Sequence, residues 1–202
     1  MTRPALILAS TSRYRRELMT RLRLPFSVEA PGVDETPLAA ETPAALAQRL
    51  ALEKALAVAA RHPHAIVIGS DQVADLDGLA LGKPGSHERA VEQLRLMRGR
   101  RVVFQTAVAV VRHDRDHAGR DLAAVAVTFR DLDDAEIEHY LRVETPYDCA
   151  GSARSESLGI ALLSAIESDD PTALVGLPLI RTCRLLREAG LDPLHSADGA
   201  RA

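Results

Sequence analysis

The sequence predicts an α/β protein in which helices flank a β-sheet, and three observations carry that prediction. A short apolar run, 5–9 (ALILA), passes through hydroxyl residues directly into a helical pattern. An Ala- and Leu-rich helical stretch beginning at Thr42-Pro43 is followed within a few residues by a buried-strand pattern at 65–69. Two β-branched runs, 102–111 and 122–129, are long enough to pair with each other through the polar turn 112–120.

Taken in order, Ser10, Thr11 and Ser12 supply N-cap chemistry for a first helix carrying Leu18, Met19 and Leu22. Phe26 to Glu29 is a short candidate strand, and Pro31 to Pro37 reads as a loop holding Asp34 and Glu35. The helix from Thr42 to Arg61 places Leu46, Leu50, Lys54 and Ala57 on one face, so Lys54 lies in line with an apolar stripe. The strand 65–69 runs into Ser70, Asp71 and Gln72, expected at its carboxyl end, where α/β sheets bind ligands. After a turn at Asp77-Gly78 comes Gly82-Lys83-Pro84, then a helix from Ser86 to Met97 stopped by Gly99. Asp133 or Asp134 caps a helix to about Arg142. Residues 146–159 form a polar loop, 160–166 a strand, and Gly176-Leu177-Pro178 opens a last helix ending at Gly190.

The 202 residues suit a single domain, assigned to 1–194, and the tail 195–202 lacks an apolar pattern and is expected to be mobile. The apolar run at the N-terminus is too short for a signal-peptide core, and no stretch approaches a membrane span. A cytoplasmic protein without membrane contact is expected. Cys149 and Cys183 have no metal-type spacing and read as reduced, core-packing thiols. A net charge of -3 argues against a general nucleic-acid binder, although Arg13, Arg15, Arg16, Arg21 and Arg23 make the first helix basic. Of the 25 basic residues only Lys54 and Lys83 are lysines, which suggests positions needing a compact ammonium that a planar guanidinium does not replace.

Two segments carry chemistry. In LILASTSRYRRELM a strand ends in three hydroxyls where a helix begins with arginines, an arrangement suited to phosphate oxygens. In GSDQV a carboxylate, Asp71, follows an apolar strand, where it can hold a divalent cation or take a proton from water; Glu35 is a second oxygen donor.

LILASTSRYRREL, VDETP, LALEKA, IGSDQV, LGKP, CAGSARSESLGI and DPTALVGLPLI resemble, in order and spacing, the successive motifs of Maf nucleotide pyrophosphatases. The resemblance runs from Leu6 to Pro193. It implies a three-layer α/β fold of the Maf/ITPase-like kind, with a mixed twisted sheet and two lobes around a substrate cleft. It also implies cleavage between the α- and β-phosphates of a nucleoside triphosphate with a divalent cation, Mg²⁺ or Mn²⁺. By that resemblance Ser10 and Arg15 fall on the phosphate-binding turn, and Lys54, Lys83 and Glu35 on polar cleft positions. Asp71 falls on the proton acceptor, and whether it serves as base or metal ligand stays open. Tyr14, Gln72 and Glu156 resemble the branch acting on 7-methyl-GTP, whereas the pyrimidine branch shows Arg, Thr and Gln there. The cationic base suits a carboxylate at Glu156 and stacking on Tyr14. Arg13 stands where the family often has Pro, and Ser157 where Gly is usual. The alternatives are a dTTP- or UTP-directed enzyme and a non-catalytic, nucleotide-binding regulator of cell division. Oligomeric state is open, with a homodimer the natural candidate.

Overall fold

The computed structural model describes residues 4–195. Its strands are β1 (Leu6–Ala9), β2 (Ser27–Glu29), β3 (Ile66–Leu76), β4 (Leu79–Leu81), β5 (Arg101–Arg112), β6 (His117–Phe129) and β7 (Leu163–Glu167). The helices are α1 (Arg13–Thr20), α2 (Pro43–Ala59), α3 (His87–Met97), α4 (Asp134–Glu144) and α5 (Leu179–Glu188). One mixed sheet holds all seven strands, in the order β2-β1-β3-β5-β6-β7, with β4 paired to β3 beside this path. β2, β1 and β3 are parallel; β3 with β4 and β5, β5 with β6, and β6 with β7 are antiparallel. No helix among the described residues is long and apolar enough to cross a membrane.

The helices start where their sequences allow. Ser12, Thr42, Ser86 and Asp133 each accept a backbone N–H of the first turn, and Asp133 with Glu136 forms a reciprocal capping box. α5 begins after Pro178 without a cap of its own. The fully buried Asp170 reaches it instead, accepting from Ile180 N at 3.0 Å and Arg181 N at 3.2 Å.

Side-chain alternation along β3 and β5 distributes the core. Ile66, Ile68, Val108 and Val110 pack with α1 and α5, whereas Val67, Val73, Ala107, Ala109 and Val111 pack with α2. Farther along the first face, Ala74, Leu76, Val102 and Phe104 join α3 and α4 around Phe129 and Tyr140. Two apolar clusters thus share one face, and the polar Ser70, Gln72 and Thr106 lie between them.

Several boundaries differ from the sequence reading. Ser70, Asp71 and Gln72 lie inside β3 rather than at its end, because antiparallel pairing with β5 carries the ladder from Val67 through Asp75. β4 was not anticipated, being three residues of hairpin after Asp77-Gly78. Residues 160–162 form a 3₁₀ turn, so the last strand starts at Leu163. Of the tail 195–202, residues 196–202 lie outside the described residues.

Candidate active site

A gap in the strand pairing creates the cleft. β1 accompanies β3 only as far as Ala9 opposite Gly69, and β4 joins the same edge only from Leu81 opposite Ala74. Among the described residues, 70–73 of β3 therefore have no strand on that side. Asp71 projects on the α2 face, Ser70 and Gln72 on the other. A cavity of about 730 Å³ occupies this gap. Ser10, Tyr14, Arg15, Glu35, Lys54, Asp71, Gln72, Lys83 and Glu156 all border it.

The first group surrounds Lys54. Buried on α2, its Nζ donates to Asp71 Oδ1 at 2.7 Å and lies 2.5 Å from Glu35 Oε1. The helix reaches this depth because Gly69 has no side chain. A Cβ there would stand 2.2 Å from the Ala51 carbonyl oxygen and 2.7 Å from Ala55 N. Burial works against ionisation of Glu35, but the contact with Lys54 and the charges of Lys83 and Arg15 hold its carboxyl below the usual range. Glu35 and Asp71 were both expected as metal ligands, and here they converge on one ammonium.

Arg15 comes from α1, with Nε donating to the Gly176 carbonyl at 2.8 Å. Its terminal nitrogens make no hydrogen bond or ion pair among the described residues. Burial lowers its pKa, against the pull of Asp71 and Glu35. Ser10 Oγ accepts from Ser12 N at 3.1 Å, shaping the turn before α1. Lys83 is exposed on the strap after β4 and has no ion pair among the described residues.

The second group lies around Tyr14. Its hydroxyl accepts from Arg13 Nη2 at 2.6 Å and stands 3.4 Å from Asp148 Oδ1, and burial pushes it up to about 12. Arg13 and Arg154 lie 4.7 and 5.1 Å from the ring centroid, so the ring expected to stack on a base already carries two guanidiniums. Glu156 borders the same end, 3.4 Å from Arg154 Nε. Gln72 is fixed through its amide nitrogen, which donates to Thr106 Oγ1 and to the carbonyls of Ala173 and Leu174 at 2.9–3.0 Å. The free cysteines are half-buried rather than core, and burial pushes the Cys149 thiol up to about 12.

Sequence reasoning missed Thr106, Glu144, Asp148 and Arg154. Thr106, fully buried within an apolar strand, carried a readable signal as a polar residue needing a partner. Glu144 and Arg154 meet only through folding, as an ion pair at 2.6 Å.

The Maf-like protein family model matches residues 5–189. A 7-methyl-GTP pyrophosphatase from Polaromonas sp. is 70% identical over 186 residues, covering 92% of this chain and 85% of the relative. Proteins of the same name from Albidiferax ferrireducens and Cupriavidus pinatubonensis are 67% and 59% identical, covering 94% and 93% of this chain and 95% and 94% of theirs. With the fold, the cleft and these matches together, the chain belongs to the Maf-like protein family.

Proposed function

We propose that this chain is a divalent-cation-dependent hydrolase that converts 7-methyl-GTP to 7-methyl-GMP and pyrophosphate. One observation carries the reading: a single cleft holds Arg15, Lys54, Lys83 and two carboxylates in one group and Tyr14 and Glu156 in another. The first group suits a triphosphate, and in the second the carboxylate of Glu156, rather than the guanidinium-covered ring of Tyr14, suits a cationic base. The names of the relatives from Polaromonas, Albidiferax and Cupriavidus support the same substrate.

Arg15, whose terminal nitrogens have no partner among the described residues, and the exposed Lys83 bind phosphate oxygens, while the turn 10–12 presents the start of α1 to the same charge. Lys54 orients the carboxylate of Asp71 by holding one of its oxygens. Asp71 then takes a proton as water oxygen forms its bond to phosphorus. The bridging P–O bond breaks, and its electron pair leaves with pyrophosphate. Glu156 accepts from the base edge, where N7-methylation strengthens the donors.

The residues fit a divalent cation. Mg²⁺ is usually held by one or two carboxylates together with substrate phosphates. Glu35 and Asp71, both in contact with one ammonium, offer that donor set without a larger cluster, and none of three or more His, Cys, Asp or Glu occurs among the described residues. When bound, the cation supplies charge neutralisation on the phosphates.

The test measures pyrophosphate release from 7-methyl-GTP, GTP, dTTP and UTP, with Mg²⁺ or Mn²⁺ and with chelator. Fastest release from 7-methyl-GTP, abolished by chelator, is expected. Nucleotide binding without turnover ends the enzymatic reading. Preference for dTTP or UTP keeps the reaction and removes the base assignment.

A further inference from the structure

We infer that Arg154 is a positioning residue for base recognition, holding Glu156 and the ring of Tyr14 from behind the cleft wall. The inference rests on the 7-methyl-GTP reading above. Ala153 and Glu156 border the cleft, whereas Arg154 borders a neighbouring depression shared with Arg13 and Tyr14. Arg154 therefore contacts both base-end residues without itself lining the cleft.

Its own placement is over-determined. Arg154 N donates to Tyr140 Oη at 3.0 Å, and that hydroxyl donates to the Ser152 carbonyl at 3.1 Å. Gly159 packs so closely that a Cβ there would stand 2.4 Å from the Arg154 carbonyl oxygen. The guanidinium is anchored by Glu144 at the end of α4, Nη1 to Oε1 at 2.6 Å. Glu144 also accepts from Ser157 Oγ at 2.8 Å and Leu158 N at 3.0 Å, so one carboxylate ties the loop on either side of Glu156 to the helix.

A second nitrogen of the guanidinium, Nε, faces Glu156. Arg154 Nε is buried and makes no hydrogen bond among the described residues, and Glu156 Oε1 lies 3.4 Å away. A buried N–H without an acceptor is unfavourable, and a small movement of the Glu156 carboxylate supplies one. That movement pins one oxygen of Glu156 to Arg154 and leaves the other for the base. Arg154 also covers the Tyr14 ring, fixing the second wall of the pocket.

The test is a double-mutant cycle of wild type, Arg154→Met, Glu156→Gln and the double variant, with kcat and KM measured on 7-methyl-GTP and UTP and thermal melts in parallel. Arg154→Met is expected to raise KM for 7-methyl-GTP on the order of ten-fold, with a smaller change in kcat and in UTP kinetics. In the Glu156→Gln background the same change should have less effect, because the Arg154–Glu156 interaction is already weakened and only the contact with Tyr14 is left to lose. Arg154→Lys, which keeps the charge on a single nitrogen in place of the separate Nη1 and Nε, should fall between and serves if the methionine variant does not fold. Independent, multiplying effects, or an equal loss on UTP, would overturn the inference. If wild type prefers another nucleotide, the base assignment fails first, and the cycle run on that nucleotide still decides the role of Arg154.

Discussion

Replacing Gly69 by Ala adds one methyl group at the point where α2 lies on the sheet, and its consequences follow from the clearances in the structure. The new Cβ would meet the Ala51 carbonyl oxygen at 2.2 Å, Ala55 N at 2.7 Å and Ala55 Cβ at 3.0 Å. Two of these are backbone atoms, which cannot swing aside as a side chain does. Ordinary contact requires α2 to withdraw by more than about 1 Å, a shift a close-packed interior resists. Two effects on stability oppose each other. Ala restricts the unfolded chain and stabilises by about 0.4–1 kcal/mol, whereas overpacking costs about 1–3 kcal/mol. Overpacking wins, and a net loss of about 1–2 kcal/mol is expected by urea denaturation. The functional effect should be larger in proportion. Lys54 rides on α2, and its 2.7 Å bond to Asp71 lengthens with the same displacement. Misplacement by about 1 Å costs on the order of a hundred-fold in rate. Ala55→Gly removes only the 3.0 Å contact and should not rescue the variant. A Gly69→Ala protein with wild-type stability and turnover would refute the close approach and the positioning argument built on it.

Asp71→Asn should abolish pyrophosphate release while the protein still melts cooperatively. The amide leaves Lys54 with Glu35 as counter-charge, so the expected cost is about 1–3 kcal/mol rather than the full cost of stranding a buried charge; activity near wild type would remove Asp71 from the chemistry. Lys54→Arg and Lys83→Arg should each lose at least about ten-fold in kcat/KM, because a planar guanidinium does not reproduce a compact ammonium. Full activity in either would defeat the argument from lysine scarcity. For Glu144, burial opposes ionisation, but bonds from Ser157, Leu158 N and Arg154 keep its carboxyl below the usual range. Such a depressed pKa contributes stability above the unfolded value, and the contribution is lost as pH falls through the folded one. The Tm gap between wild type and Glu144→Gln should therefore be widest near neutrality and close on acidification. A gap independent of pH would contradict it.

The sequence by itself determined the local elements and the side-chain types that line the cleft. Ser12, Thr42, Ser86 and Asp133 announce helix starts because their side-chain oxygens satisfy first-turn amides through contacts only three residues long. The period of two in β3 and β5 sorted residues between faces for the same local reason. Lysine scarcity singled out Lys54 and Lys83, and both border the cleft. Only the tertiary structure decided where the ladder beside β3 stops. That depends on β1 ending opposite Gly69 and β4 beginning opposite Ala74, pairings between distant segments that no local pattern encodes. The same non-locality hid the joining of Glu35 and Asp71 through Lys54, the anchoring of Gln72 on the Ala173 and Leu174 carbonyls, and the meeting of Arg154 with Glu144, Glu156 and Tyr14. A side chain's type is written at its own position, but its partners are set by the packing of helices and strands, which fixes distances between residues far apart in the chain.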